Sequence, residues 1–286
     1  MRFFSNFSVL RAAMLVALGV LAAFGISSGA MALPQDGGLG LQDAASPVMH
    51  EITSFHNLLL VIIVAITIFV SLLLLWVMIR YNRRANPEPA NFSHNTLVEV
   101  IWTAVPIVIL VIIAIPSFRL LYFQDTIPED IDLTVKATAH QWYWSYSYPD
   151  HGEIEFDSYM LKEDELTDPS LRLLDVDNAV VVPVGAKVRV LVTSTDVIHN
   201  FAMPQFGLKT DAVPGRINET WFQAEREGSF FGQCSELCGK DHAFMPIRIN
   251  VVSDAEFAAW VEKAKEEFAA NDTAPVTVAA NAADKN

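Results

Sequence analysis

Cys234-Ser-Glu-Leu-Cys238-Gly-Lys-Asp-His242-Ala-Phe-Met245 is the stretch on which the reading of this chain turns. It holds the only two cysteines of the sequence, four residues apart. A histidine follows the second cysteine by four residues, and a methionine follows the histidine by three. Two thiolates, an imidazole and a thioether form a soft-donor set, which selects copper over magnesium, calcium or manganese. A second imidazole, His199, lies upstream in Ser194-Thr-Asp196-Val-Ile-His199-Asn200. If these groups converge in space, the chain is a copper protein that carries electrons.

A disulfide is the competing reading, because paired cysteines are the rule in oxidising compartments. Three features count against it. A ring this short constrains the unfolded chain only slightly. The following His242 and Met245 have no part in a disulfide. The stretch also opens with Gly232, closes near Pro246 and lies between two β segments, as a rim loop does.

The rest of the sequence says where such a site would sit. The chain has 286 residues, a formal charge of −14 and 52% hydrophobic residues. The hydrophobic residues are concentrated in three runs within the first 125 positions, and most of the acid follows them. That asymmetry points to a membrane anchor followed by an acidic soluble domain, and no nucleic-acid partner is expected.

The first run follows Arg2 and Arg11, spans Ala12 to Ala23 and leads to Ala30-Met31-Ala32. This is the pattern of a secretory signal peptide, with cleavage expected after Ala32. The run is shorter than the roughly 20 residues a membrane span requires. Residues 33–54 are expected to be a mobile segment, with several glycines between Gln35 and Gln42. A transmembrane hairpin is expected over 55–124, with spans from Leu58 to Ile79 and from Ile101 to Leu121. Pro106 and Pro116 in the second span are tolerable where neighbouring groups satisfy the freed carbonyls. Three arginines, Arg80, Arg83 and Arg84, follow the first span and place the connecting loop in the cytoplasm. Both mature ends then face outward, as a cleaved signal peptide also requires.

Residues 125–270 read as an outward-facing β domain. Ile131 to Ala139 alternates apolar and polar residues, the period of a half-buried strand. Val180 to Val184 and Lys187 to Val192 are further strands across a Pro-Val-Gly turn. Glu219 to Ala224 and Pro246 to Val252 complete the clearest set, which fits a sandwich or barrel. Ser253-Asp-Ala-Glu256 fits a capping box. Phe257, Trp260, Val261, Ala264 and Phe268 follow at helical spacing. Residues 271–286, rich in Ala and Asn, are expected to be a disordered tail.

Several motifs taken together resemble subunit II of the haem–copper cytochrome c oxidases. They are Gly232-Gln-Cys-Ser-Glu-Leu-Cys-Gly239 with His242 and Phe244-Met-Pro246, and Gln141-Trp-Tyr-Trp-Ser-Tyr146. Phe156-Asp-Ser-Tyr-Met160, Leu171-Arg-Leu-Leu-Asp-Val-Asp-Asn178, Gly207-Leu-Lys-Thr-Asp-Ala-Val-Pro-Gly-Arg216 and Glu99-Val-Ile-Trp-Thr-Ala-Val-Pro106 join them. The likeness covers about residues 50 to 262. It implies a cupredoxin-like barrel on a two-helix hairpin in a bacterial inner membrane, with the soluble domain periplasmic.

The resemblance also implies a dinuclear copper centre. In that pattern Cys234 and Cys238 bridge two coppers, His199 and His242 bind one each, and Met245 and the Glu236 carbonyl are weaker ligands. The Glu236 carboxylate would reach a magnesium ion shared with subunit I. Trp142 would take up the electron from cytochrome c, with Trp144 in the core. Strand alternation would put these two tryptophans on one face. Asp177 and Asp196 match positions implicated in docking cytochrome c, with Glu153 and Glu155 as further acids. Glu99 would stand at the mouth of a proton path into subunit I, although an acid at a helix start also favours the dipole. The implied partners are the haem-bearing subunit I, other oxidase subunits and cytochrome c.

Three rivals fit less well. A membrane-anchored copper chaperone carries proline beside its second cysteine, where this chain has Gly239. A quinol oxidase subunit lacks the copper ligands. Nitrous oxide reductase shares the copper loop but is not built on two membrane helices.

Overall fold

The computed structural model describes residues 37–268 apart from Pro89 and Glu153. The signal peptide, its cleavage position, residues 33–36, the 271–286 tail and the acid Glu153 lie outside the described residues.

Helix α1 spans Pro47–Arg80. Ser46 caps it, its hydroxyl accepting from the Met49 N–H at 3.1 Å. Pro47 follows at the first turn, where its missing N–H costs nothing. At the other end Asn82 donates to the carbonyls of Met78 and Ile79 at 3.1 and 2.9 Å. Helix α2 spans Thr96–Asp125, is capped by the Asn95 side chain and carries Glu99 in its first turn. Both helices are long and apolar enough to cross a membrane. With 34 residues, α1 is about 51 Å long, against roughly 30 Å of hydrocarbon.

That excess length corrects the expected boundary. The segment 33–54 is helical from Pro47 onward, because hydropathy marks only the lipid-facing part of α1 and passes over its polar first turns. Ala45, Ser46, Val48 and Met49 are buried. Ala45 N–H donates to the Gln205 carbonyl at 2.9 Å, and the Ala45 carbonyl accepts from Glu225 N–H at 3.0 Å. Ser46 Oγ donates to the Phe206 carbonyl at 2.8 Å, and His50 pairs with Glu225 at 2.8 Å. Gly207 makes this docking possible. Its φ is +73°, and a Cβ there would lie 2.7 Å from the Ile52 side chain.

The soluble domain is all-β apart from a final helix. Its strands are β1 Leu133–His140, β2 Tyr143–Ser147, β3 Glu155–Ser158, β4 Val180–Pro183, β5 Lys187–Ser194, β6 His199–Met203, β7 Leu208–Ala212, β8 Asn218–Gln223, β9 Gly228–Cys234 and β10 Pro246–Val252. They form two five-stranded sheets, ordered β3-β2-β1-β5-β8 and β4-β10-β9-β6-β7. The pairs β1–β5 and β4–β10 are parallel, and the remaining pairs are antiparallel.

Alternation sets the inner faces. Leu133, Val135, Ala137 and Ala139 of β1, with Val188, Val190 and Val192 of β5, are buried. Trp144, Phe201, Phe206, Phe222 and Phe230 fill the core, and Trp144 meets Phe201 edge-on at 5.4 Å. Each such side chain contributes about 1.5–3 kcal/mol by leaving water. The final helix α3, Asp254–Phe268, starts at the expected capping box. Ser253 Oγ accepts from Glu256 N–H at 3.3 Å, and the Glu256 carboxylate accepts from Ser253 N–H at 3.0 Å. Phe257, Val261 and Ala264 are its buried face.

The sheet register brings the ligand-bearing segments together. Phe201 of β6 stands opposite Cys234 of β9. The pairing continues one step past the strands, with Ser235 N–H donating to the Asn200 carbonyl at 3.1 Å. His199 at the start of β6 and Cys234 at the end of β9 therefore share one end of a sheet.

Candidate metal centre

The β9–β10 loop is closed at its base by the Cys234 N–H, which donates to the Met245 carbonyl at 3.3 Å. His242–Phe244 forms a single 3-10 turn within it. Gly239, at φ +125°, lets the loop pass under Trp142, where a Cβ would stand 2.9 Å from the indole.

Six donor groups converge at this loop. Cys234 Sγ lies 3.9 Å from His199 Nδ1, 3.4 Å from the Glu236 carbonyl oxygen and 3.8 Å from Cys238 Sγ. Cys238 Sγ lies 3.5 Å from His242 Nδ1 and 3.6 Å from Met245 Sδ. His199, Cys234, Cys238 and Met245 are buried, and His242 is half-buried. The thiols are free, since their separation is far above the roughly 2.05 Å of a disulfide.

The spacing of these groups suits a metal site, and their chemistry suits copper. Metal bonds of about 2.0–2.3 Å to nitrogen and sulfur produce donor–donor edges of about 3.3–3.8 Å at tetrahedral angles. Four of the five observed separations, 3.4–3.8 Å, fall on those edges, and the fifth, 3.9 Å, lies just beyond them. The buried thioether and paired thiols give the soft donor set that copper prefers.

The electrostatics favour a cation here. Burial pushes the Cys234 thiol up, but hydrogen bonds from His199 and the loop backbone outweigh it and hold the thiol below its ordinary value. Burial and the adjacent Cys234 charge both raise Cys238. Two adjacent buried thiolates repel each other, a penalty that bound metal cations would remove. Burial opposes charge on His199, yet its bonds to Cys234 and Asp196 raise its pKa overall. Asp196 is raised by burial but lowered on balance by the His199, Val197 and Gln141 hydrogen bonds it accepts.

The remaining expected residues fall in different places. Trp142 is half-buried and its Nε1–H donates to the Cys238 carbonyl at 3.3 Å. Trp144 is fully buried and its Nε1–H reaches the Met245 carbonyl at 3.4 Å. The alternation argument does not govern this pair, because Trp142 lies in the β1–β2 turn and precedes β2. Glu236 and Asp177 are exposed, and Asp177 accepts from the N–H groups of Tyr159 and Asn178 at 2.8 and 2.7 Å. Glu155 is an exposed residue of β3. Glu99 lies on the hairpin, apart from the loop in the chain.

Asp196, expected as a docking acid, is exposed at the edge of the ligand set, with Oδ1 2.8 Å from His199 Nε2. Gln141 was not singled out from sequence. Its Nε2 donates to the Cys238 carbonyl at 2.8 Å, and its N–H donates to Asp196 Oδ2 at 2.7 Å. No local signal marks it, since the contact depends on the parallel pairing that sets Ala139 beside Ser194.

A two-helix anchor joined to a β domain with a soft-donor cluster at one sheet end defines a membrane-anchored, cupredoxin-like protein with a candidate metal centre. Two family models match: "Cytochrome C oxidase subunit II, transmembrane domain" over residues 34–120, and "Cytochrome C oxidase subunit II, periplasmic domain" over residues 133–252. The probable cytochrome c oxidase subunit 2 of Rickettsia bellii is 55% identical over 233 residues, which are 82% of this chain and 86% of the relative. Cytochrome c oxidase subunit 2 of Cereibacter sphaeroides is 50% identical over 250 residues, 81% of this chain and 82% of the relative. Among solved structures, the periplasmic domain of subunit II of cytochrome oxidase of Bradyrhizobium japonicum is 62% identical. That match covers 50% of this chain and 99% of the other, with a TM-score of 0.47. The chain belongs to the cytochrome c oxidase subunit II family.

Proposed function

We propose that this chain is the electron-accepting subunit of a proton-pumping cytochrome c oxidase. It receives electrons singly from cytochrome c and hands them to the haem of subunit I, where dioxygen is reduced to water. The convergence of two thiols, two imidazoles, a thioether and a carbonyl at one loop carries this reading.

Cys234, Cys238, His199, His242, Met245 and the Glu236 carbonyl would hold two copper ions. Bound copper would supply a one-electron redox couple at these residues. The chain's own part is preorganisation: the ligands hang on strand ends and a closed loop, so they need little rearrangement when charge changes. The Glu236 carboxylate, exposed beside the site, is free to hold magnesium at the boundary with subunit I. Trp142 takes up the electron, since a single hydrogen bond joins its indole to the backbone of a ligand cysteine.

The net charge of −14 supports a basic partner, and Asp177 with Glu155 offers docking charge on the domain surface. Exposed Leu237 and Phe244 lie within the ligand loop and give an apolar contact for a partner. Glu99 would open the proton path from the cytoplasmic side. The arginines after α1 orient the hairpin so that the β domain lies in the periplasm of a bacterial inner membrane.

Stopped-flow mixing of the assembled oxidase with reduced cytochrome c tests this reading. Rapid oxidation of cytochrome c is expected, saturating with concentration and slowing as ionic strength rises. Absence of cytochrome c oxidation would remove the assigned role.

A further inference from the structure

The two strands that carry His199 and Cys234 have their other ends seated on the membrane hairpin. β6 starts at His199 and runs into the Pro204–Phe206 turn. β9 starts shortly after Arg226 and ends at Cys234. At about 3.4 Å per residue, the five residues of β6 span about 17 Å and the seven of β9 about 24 Å. The strands move as one body. All five residues of β6 are buried, and Phe201 and Ala202 pair with Cys234 and Gln233. A Cβ on Gly232 would run into the Ala202 carbonyl, so the backbones lie against each other.

The segment leading into α1 holds both of the far ends. Ala45 alone bridges them: its N–H donates to the Gln205 carbonyl at 2.9 Å, and its carbonyl accepts from Glu225 N–H at 3.0 Å. Arg226 Nη1 donates to the Ala44 carbonyl at 2.8 Å, and Ser46 Oγ donates to the Phe206 carbonyl at 2.8 Å. Ala45, Ser46, Gln205 and Phe206 are buried, so water does not compete for these bonds. Helix α2 joins the same seat, with Phe123 edge-on to Trp221 of β8 at 5.7 Å. Gly207 is the tightest point, where a Cβ would stand 2.7 Å from the Ile52 side chain and 3.4 Å from the Met49 backbone.

We infer that residues 44–49 and Gly207 form a positioning seat that fixes the β6–β9 pair to the hairpin, and thereby sets the separation between the candidate metal centre and the haem of subunit I. The inference rests on the electron-transfer reading above. Electron tunnelling falls steeply with separation, so a relay depends on a fixed distance to its acceptor. None of the seat residues is a candidate ligand, and a strand's length lies between them and the ligands. Disturbing the seat should therefore change the onward step and leave the ligand set intact.

The test uses the assembled oxidase with Gly207→Ala, alone and combined with Ile52→Ala, which removes the side chain that the new Cβ would meet. Single electrons are injected by a flash from a ruthenium photoreductant, and the optical signals of copper and haem are followed separately. Gly207→Ala is expected to slow the copper-to-haem step by about tenfold or more, the scale of ångström misplacement far from the reacting groups. Its copper electron paramagnetic resonance spectrum and its electron uptake from cytochrome c should be unchanged. Hydrogen exchange of the Ala45 and Glu225 amides, which needs no metal, should become faster. Ile52→Ala should return both the rate and the exchange toward those of the unsubstituted oxidase. An unchanged copper-to-haem rate, or unchanged exchange, in Gly207→Ala overturns the inference. An altered copper spectrum also overturns it, because the seat would then support the fold of the site. So does a slowing that Ile52→Ala leaves unrelieved, which would place the effect in backbone strain within the β domain. Should Gly207→Ala fail to assemble, Ser46→Ala decides, since it loosens the seat without a clash: a slowed onward step with an intact copper spectrum upholds the inference, and an unchanged step overturns it. Lack of a copper signal in the unsubstituted oxidase would sink the copper reading, and this inference with it.

Discussion

Replacing Cys234 by serine is expected to lower copper affinity more than about 100-fold, beyond the range for loss of a neighbouring support, and to abolish turnover with cytochrome c. Cys234 is the hub of the donor set, within 3.9 Å of His199 Nδ1, the Glu236 carbonyl and Cys238 Sγ. A serine hydroxyl is a hard donor that stays protonated near neutral pH and cannot be shared between two soft ions. The fold should survive, because serine is slightly smaller and the strand pairing of β9 uses only backbone groups. Circular dichroism matching the unsubstituted chain, with copper and turnover lost, is the expected pair of results. Retention of both coppers and of turnover would show that Cys234 is not a bridging ligand.

Trp142→Phe is expected to slow electron uptake from cytochrome c by more than about tenfold, equivalent to about 1.4 kcal/mol on the barrier, with the copper spectrum unchanged. The substitution removes the Nε1–H that donates to the Cys238 carbonyl but leaves a ring in the turn. Trp144→Phe is the control, because it removes the corresponding bond to the Met245 carbonyl from a fully buried position. That variant should lose thermal stability and keep its uptake rate. Rapid-mixing kinetics separates the two, and an unchanged rate in Trp142→Phe would take Trp142 out of the path.

The legible parts of this molecule were those encoded by local pattern. The ligand loop, the alternating strands β1 and β5 and the Ser253 capping box appear where the sequence places them. The membrane spans were also legible, because lipid demands an unbroken apolar run. The start of α1 was not, since its polar first turns are held by burial of Val48 and Met49 beneath the Pro204–Phe206 turn. Strand β6 escaped notice because all five of its residues are buried, leaving no alternation to read.

The candidate site divides in the same way. Its cysteines, His242 and Met245 share one loop and announce themselves by spacing. His199 needed only a second imidazole upstream. The contacts of Asp196 and Gln141 join residues 55 apart and exist only because β1 lies parallel to β5. Asp196 alone in the sequence is one acid among 33 acidic residues, set apart only by the family resemblance, and its contact with His199 could not be read there.

Electron paramagnetic resonance of the oxidised, copper-loaded oxidase most directly tests whether this chain holds a shared two-copper centre. The account predicts hyperfine coupling of the unpaired electron to two equivalent copper nuclei. Coupling to a single copper nucleus would contradict it.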